Sequence, residues 1–458
     1  MRSIRYGGML MKEVQEFLSG RIWLKEQTPF PLPVIEEFIH KSFITPHKGI
    51  QPNNNSRINQ NEKSQCRRCG SKKLTTFQCA KCNGPCRYCR HCIRMGRVSS
   101  CTELITWSGP LVESSCQHTF NWTGTLTSIQ AKASSELLQS VRANQSHLVH
   151  AVCGAGKTEL LFPAIFELLT RGQRVCVATP RTDVVLELAP RFQQVFPSTI
   201  IHPLYGGSPM NTNYAQLIIA TTHQLLRFEK AFDVVFVDEA DAFPYTVDEA
   251  LQFAVQKAKK KHAVVHYITA TPSDELVKQA TNISLISERF HGFSLPVPRF
   301  DGLWNYNKHI KKDKLPQKLQ KWTKQCLIKT QPFLIFFPTI DLMELALPLF
   351  QRFHEEIVSV HAEDENRKEK VMKLREKKIP GLLTTTILER GITIPNVQVA
   401  VVGADEAIFT SSALIQIGGR VGRSIEYPTG DLVFFHHGIS GAMDQSKSTI
   451  SSHNAKRV

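Results

Sequence analysis

The chain has 458 residues, a formal net charge of +16 and twelve cysteines. That length exceeds one core and allows two to four domains, and no run of about 18 apolar residues is present to cross a membrane. The positive charge is spread along the chain rather than gathered on one amphipathic helix, which favours nucleic acid over a lipid surface as the anionic partner.

The N-terminus, "MRSIRYGGMLMKEVQEF", lacks the apolar core of a signal peptide, so a cytoplasmic chain is expected. In that compartment twelve cysteines argue for metal rather than disulfides. Residues 1–60 read as an N-terminal segment with weak helical pattern around "VIEEFIHKSF", followed by a polar, low-complexity linker, "QPNNNSRINQNEKSQ". Seven cysteines then crowd into "CRRCGSKKLTTFQCAKCNGPCRYCRHC" (66–92), within a zinc-binding module spanning 61–117. Four thiolates around Zn²⁺ can hold a small coreless module together. Three ligand sets are open: Cys66/Cys69 with Cys89/Cys92, Cys66/Cys69 with Cys79/Cys82, or two ions that also use Cys79, Cys82, Cys86 and Cys101. His91 reads as a solvent-facing residue. Arginines and lysines with Phe77 and Tyr88 between them suit a grip on nucleic-acid backbone, with a protein-docking module as the rival.

Residues 118–290 carry nucleotide chemistry. "HLVHAV" reads as a buried strand and "TELLFPAIFELLTRG" as a helix ending at Gly172; between them lies "AVCGAGKTE" (151–159). Strand, glycine-rich loop and helix are the context of a phosphate loop. Gly154, Ala155 and Gly156 let backbone N–H groups wrap the phosphates, Lys157 reaches the β/γ-phosphates and Thr158 offers a hydroxyl to Mg²⁺. Ala151 stands where the usual first glycine would be. Gln130, ahead of the loop, is placed to read adenine. "VVFVDEADAF" is a buried strand ending in acids: Asp238 holds Mg²⁺ and Glu239 orients and deprotonates the attacking water. Thr179 and Arg181 in "ATPRTD", Gly206 and Gly207 in "LYGGS", and Thr221 and Thr222 in "ATTHQLLRF" sit at strand ends, where hydroxyls, glycine amides and an arginine suit the phosphates of a bound strand. "ITATP" supplies Thr269, Ala270 and Thr271 as a link from the ATP site towards the lobe interface.

A proline-rich stretch (290–318) joins this lobe to a second, 291–445, built on "FLIFFPT" and "GLLTTTILERGITIPNVQVAVV". Thr384, Thr385 and Arg390 lie on its strand edge as further strand contacts. "QIGGRVGR" supplies Gln416, Arg420 and Arg423, whose rigid forks suit the γ-phosphate in phosphoryl transfer. Lying in the other lobe, they would complete the site only when the lobes close. Residues 446–458 read as a weakly ordered tail. The fold class is therefore α/β: two RecA-like lobes with parallel sheets, preceded by a small cysteine-rich zinc module.

The ordered strings resemble superfamily 2 helicases of the DEAD/DEAH type, in which an alanine at the position of Ala151 and a glutamine at that of Gln130 are familiar. Longer strings, among them "ATPRTDVVLELAPR", "DEADAFPY", "TTTILERGITIPNVQ" and "YCRHCIRMGRV", resemble the ComFA family of competence ATPases over about residues 60–440. The resemblance implies ATP hydrolysis stimulated by single-stranded DNA and coupled to import of transforming DNA. It implies as partners the membrane DNA-uptake channel and other cytosolic competence proteins, reached at the inner face of the membrane. It also implies that the metal is held by Cys66, Cys69, Cys89 and Cys92. The alternatives are a replication-restart or repair DNA helicase, and a nucleotide-gated scaffold of the uptake machinery.

Overall fold

The structure is a computed structural model that describes residues 2–52, 64–386 and 394–455. In chain order the strands are β1 (Ile22–Leu24), β2 (Ile44–Lys48), β3 (Ile50–Pro52), β4 (Ser64–Cys66), β5 (Leu74–Cys79), β6 (Gly84–Cys89), β7 (Glu103–Trp107), β8 (His147–Ala151), β9 (Val175–Thr179), β10 (Ile201–Leu204), β11 (Leu217–Thr221), β12 (Phe232–Asp238), β13 (Lys259–Thr269), β14 (Asn282–Ile286), β15 (Arg299–Gly302), β16 (Phe333–Phe336), β17 (Val358–Val360), β18 (Gly381–Thr384), β19 (Gln398–Val402) and β20 (Leu432–His436).

The chain divides into two compact units. One comprises Met1–Leu126, Ala131–Val149 and Thr158–Ser284; the other comprises Thr127–Gln130, His150–Lys157 and Leu285–Val458.

The first unit is organised by a seven-stranded sheet in the order β10-β11-β9-β12-β13-β8-β14. From β10 through β13 the neighbours pair in parallel. Fully buried strands such as "VCVAT" and "LIIAT" read as unbroken apolar runs because helices cover both faces of such a sheet. The expected helix after the phosphate loop is divided at Pro163. A 3₁₀ turn (Glu159–Leu161) precedes the helix Phe162–Thr170, which begins where proline, lacking an N–H, is tolerated.

The N-terminal residues do not form a segment separate from the cysteine module. Strand β7, beyond the last clustered cysteine, returns between β1 and β2 to make an antiparallel three-stranded sheet. The cysteine hairpin is therefore an insertion into this sheet, and a boundary at residue 60 cuts through it. Phe17, Trp23, Ile35, Phe38, Ile44 and Ile105 form the small core behind the sheet. A second core is continuous from Ile22, Leu24, Cys66, Cys69, Cys89 and Cys92 to Phe228, Phe232, Val235, Leu251 and Val255 of the ATPase lobe.

The second unit carries a six-stranded sheet, β15-β20-β19-β16-β18-β17, parallel throughout. Residues 299–302, inside the stretch expected as a linker, are its edge strand. The expected weak tail is instead the helix Gly441–Ala455, in which Ser446 and Ile450 are buried and Asn454 exchanges two hydrogen bonds with the backbone of Leu295. Its polar composition hides the few buried positions that hold it.

Candidate nucleotide site, strand groove and metal centre

Strand β8 delivers the phosphate loop. Gly154 (φ +82°) and Gly156 (φ +69°) are left-handed, which L side chains rarely adopt, and Ala155 between them is buried. Gln130 is buried as well: its Oε1 accepts from the Thr127 N–H at 2.8 Å and its Nε2 donates to the Ala155 carbonyl at 2.7 Å. The two ends of that amide thus tie the phosphate loop to Thr127, the residue before the helix Ser128–Arg142.

Strand β12 ends in the acidic pair. Asp238 is buried and its Oδ1 accepts from the Glu239 N–H at 2.9 Å; Glu239 sits at φ +54°, a conformation uncommon outside glycine that marks sites under constraint. Asp241, the last acid of "DEAD", accepts from the Thr271 hydroxyl at 2.5 Å, and Thr269 Oγ1 accepts from the Thr271 N–H at 3.1 Å. The end of β13 is thereby coupled to the acidic turn by a contact between two short strings far apart in sequence.

The "QIGGRVGR" string starts in the last turn of the helix Ser411–Gly418, capped by Thr410, whose Oγ1 accepts from the Ala413 N–H. Within the second unit this string already meets the phosphate loop: Cys153 Sγ donates to Gln416 Oε1 at 3.0 Å. Gly419 is needed there, because a Cβ would lie 2.4 Å from Cys153 Cβ. Arg420 is buried and Arg423 half-buried.

Arg289, which the sequence did not single out, holds this string in place. It is fully buried, and its Nη1 donates to the carbonyls of Val421 (2.8 Å) and Gly422 (2.6 Å). His291 bonds the same Gly422 carbonyl at 3.1 Å. Phe290 N–H donates to the Gly154 carbonyl at 3.0 Å, so one short segment touches both the phosphate loop and the arginine string. Burial pushes the Arg289 guanidinium down to about 10.

The expected strand contacts separate into two kinds. Thr179, Thr222 and Thr384 are fully buried; Thr384 Oγ1 donates to the Val360 carbonyl at 3.1 Å and at 3.2 Å to that of Thr385, itself half-buried. Thr384 is thereby engaged within its own lobe, whereas the buried hydroxyls of Thr179 and Thr222 make no hydrogen bond among the described residues. Arg181 is half-buried and paired with Asp183 at 2.8 Å. Gly206 and Gly207, by contrast, are exposed, and a Cβ on either would meet nothing within 4 Å. Arg390 lies outside the described residues.

Gly206, Gly207 and Thr221 line a cavity of about 620 Å³ together with Arg21, Trp23, Arg94 and Arg227. The N-terminal sheet and the cysteine module thus supply cations and an aromatic ring to the glycine loop of the ATPase lobe. The Arg227 guanidinium lies 4.7 Å from the Trp23 ring centre. Burial, reinforced by the like charges of Arg174 and Arg227, pushes Arg21 down to about 9. Repulsion among these arginines is relieved by an anion. No string in the sequence signals this groove, because residues 21–23, 94, 206–207 and 227 meet only through the fold.

Cys66, Cys69, Cys89 and Cys92 are all buried, with sulfurs within 4.8 Å of one another. Cys66–Cys92 is 3.7 Å and Cys69–Cys89 is 3.5 Å. A metal 2.3 Å from four tetrahedral sulfurs separates them by about 3.8 Å, so the donor set fits a closed, structural zinc. Arg68 staples the knuckle by donating to the carbonyls of Cys92 (2.8 Å), Met95 (2.9 Å) and Gly96 (2.6 Å). Lys257 of the ATPase lobe donates to the Arg68 carbonyl at 2.5 Å. His91 is not simply solvent-facing: its Nε2 pairs at 2.9 Å with Asp248, which caps the helix Glu249–Ala258 of that lobe.

Three family models match the chain: the competence protein ComFA N-terminal domain over 8–106, the type III restriction enzyme res subunit over 123–274, and the helicase conserved C-terminal domain over 315–424. The chain is 42% identical to competence protein ComFA of Bacillus subtilis over 448 residues, covering 97% of this chain and 95% of that one. It is 41% identical to competence protein ComFA of Streptococcus pneumoniae over 373 residues, covering 80% and 85%. Among solved structures, S. cerevisiae Dbp5 bound to RNA and ADP BeF3 matches at 17% identity with a TM-score of 0.54, covering 72% of this chain and 88% of that one, which is a likeness of fold.

Proposed function

Since the chain belongs to the ComFA family of competence proteins and is a superfamily 2 ATP-hydrolysing enzyme, we propose that single-stranded DNA stimulates its ATPase and that hydrolysis drives import of transforming DNA across the cytoplasmic membrane. The observation that carries this reading is the groove in which Gly206 and Gly207 share a wall with Arg21, Trp23, Arg94 and Arg227. Open glycine amides and an exposed arginine such as Arg94 bind backbone phosphates without regard to sequence. A motor handling arbitrary imported DNA needs that tolerance.

In the nucleotide site, Lys157 and the 154–158 backbone hold the β/γ-phosphates while Thr158 and Asp238 hold Mg²⁺. Glu239 orients and deprotonates water, and Arg420 and Arg423, aligned with Gln416, stabilise the charge that develops on the γ-phosphate. Gln130 holds the loop through its bond to the Ala155 carbonyl. The four buried cysteines hold a structural zinc that keeps the module on the lobe. The protein acts at the inner face of the membrane by association with the uptake channel and with cytosolic competence proteins. Among the described residues no helix is long and apolar enough to span the bilayer itself.

The test is ATP hydrolysis by the purified protein with single-stranded DNA, duplex DNA, RNA or no nucleic acid, beside Glu239→Gln. Strong stimulation by single-stranded DNA that vanishes in the variant is expected. Preference for RNA would overturn the import reading, and indifference to any nucleic acid would leave a nucleotide-gated scaffold.

A further inference from the structure

Three cysteines between the buried pairs and a fourth just beyond them take no part in the buried metal centre. Cys79, Cys82, Cys86 and Cys101 bring their sulfurs within 4.8 Å of one another, with Cys79–Cys101 at 3.6 Å. We propose that they form a second tetrathiolate site for a divalent metal of the zinc class, distinct from the buried one and open to solvent.

Strand register separates the two sets. In the β5–β6 hairpin Phe77 pairs with Cys86, Cys79 with Gly84 and Leu74 with Cys89. Side chains alternate between faces along a strand, so Cys86 and Cys89, three residues apart, point to opposite sides. Cys79 shares the face of Phe77 and Cys86. Cys89 goes to the core side, where Cys66, Cys69 and Cys92 wait. The turn after β5 brings in Cys82, whose N–H donates to the Cys79 carbonyl at 3.2 Å.

Cys101 is delivered by a segment that runs along the outer edge of β6. Cys89 N–H donates to the Val98 carbonyl at 2.9 Å, Ser100 N–H to the Arg87 carbonyl at 2.8 Å, and Arg87 N–H to Ser100 Oγ at 3.1 Å. Ser99 Oγ lies 3.3 Å from Cys101 Sγ. Backbone hydrogen bonds thus help to place the four donors. The 3.6 Å edge matches the ~3.8 Å expected of sulfurs around zinc. A disulfide needs sulfurs about 2.05 Å apart, and all twelve cysteines are free thiols.

The two sites differ in access. The first four cysteines are all buried, whereas in the second set Cys79 and Cys86 are buried but Cys82 is exposed and Cys101 half-exposed. Loading exchanges four S–H bonds for four S–metal bonds and releases the protons to water. The ion clamps the hairpin tip to the 98–101 segment and exchanges with solvent before the buried one does.

The experiment is metal counting by mass spectrometry on the full-length protein purified under reducing conditions with Zn²⁺, followed by timed release to a chromogenic chelator. Two zinc ions per chain are expected, released in two phases, with the fast phase carrying one ion. Cys82→Ser, at the exposed ligand and away from the core, should leave one ion and abolish the fast phase; Cys101→Ser should do the same. One ion in the wild type that survives both substitutions would overturn the proposal. So would an intact mass two hydrogens short and reversed by reductant, the mark of a disulfide. Metal content and release are read without DNA or ATP, so the site stands or falls independently of the import reading.

Discussion

Gly419→Ala tests whether the contact between the phosphate loop and the "QIGGRVGR" string sets the rate of hydrolysis. Gly419 has ordinary helical torsions (φ −60°, ψ −11°), so alanine brings no backbone strain. Its Cβ, however, would lie 2.4 Å from Cys153 Cβ and 2.9 Å from Cys153 Sγ. Carbon atoms rest at about 3.5–4.0 Å, so the segments must part by upward of ~1 Å. Overpacking of this kind costs ~1–3 kcal/mol in stability, and a displacement of ~1 Å in a catalytic site costs on the order of 100-fold in rate. The third neighbour, the Gln416 carbonyl at 3.2 Å, needs only a small adjustment. Cys153→Gly removes the two atoms in conflict, so the double variant should recover most of the rate the single one loses. The assay is kcat for ATP at saturating DNA for the wild type, both single variants and the double variant, with a urea midpoint for each. A Gly419→Ala enzyme within threefold of wild type would refute the reasoning. So would a double variant as slow as Gly419→Ala when Cys153→Gly alone is active.

Two further outcomes concern the groove and the core. Arg94→Glu and Arg227→Glu should each weaken binding of a single-stranded oligonucleotide by about tenfold at low salt. Removing one cation from the phosphate path should lower the slope of log affinity against log salt by ~0.7, and an unchanged slope in both would remove the groove from the strand path. His266 is fully buried, stacked on Phe236 with ring centres 5.2 Å apart, and burial, helped by His147, pushes it down to about 3. Its folded-state value lies below the ~6.5 of the unfolded chain, so the unfolded chain takes up the extra proton between those limits. Stability should be complete above pH ~6.5 and fall on acidification by up to ~1.4 kcal/mol per pH unit from this residue. Urea midpoints from pH 7 to 5 measure this; a flat profile, or one with the same slope in His266→Phe, would contradict it.

What the sequence disclosed was what short strings encode. The phosphate loop, the acidic pair and the arginine string each lie within ten residues, and buried parallel strands announce themselves as unbroken apolar runs. What it withheld depends on pairing at a distance. Spacing leaves the cysteine sets open and only the family resemblance chooses Cys66, Cys69, Cys89 and Cys92; the β5–β6 register that separates the sets in the fold is specified by no spacing rule. Strand β7 returns past the whole cysteine module, so the N-terminal segment looked separable when it supplies two of the three strands of one sheet. Arg289, in "ISERFHGF", is one arginine in an unremarkable stretch, and its role exists only because Val421 and Gly422 turn their carbonyls towards it. The strand-end threonines were read by type, whereas accessibility divides Thr179, Thr222 and Thr384 from the open glycines.

Because the thiols of Cys66, Cys69, Cys89 and Cys92 sit in the same apolar core as Phe228, Phe232 and Leu251, a metal held by them would share its fate with the ATPase lobe. Four thiols without a metal in that position would leave a soft spot under β12, the strand that bears Asp238. A cell starved of zinc would then accumulate chains whose motor half is poorly formed and open to proteolysis. If those cysteines hold zinc, the trace-metal supply of the growth medium would thereby set how many folded copies of the ATPase a cell holds.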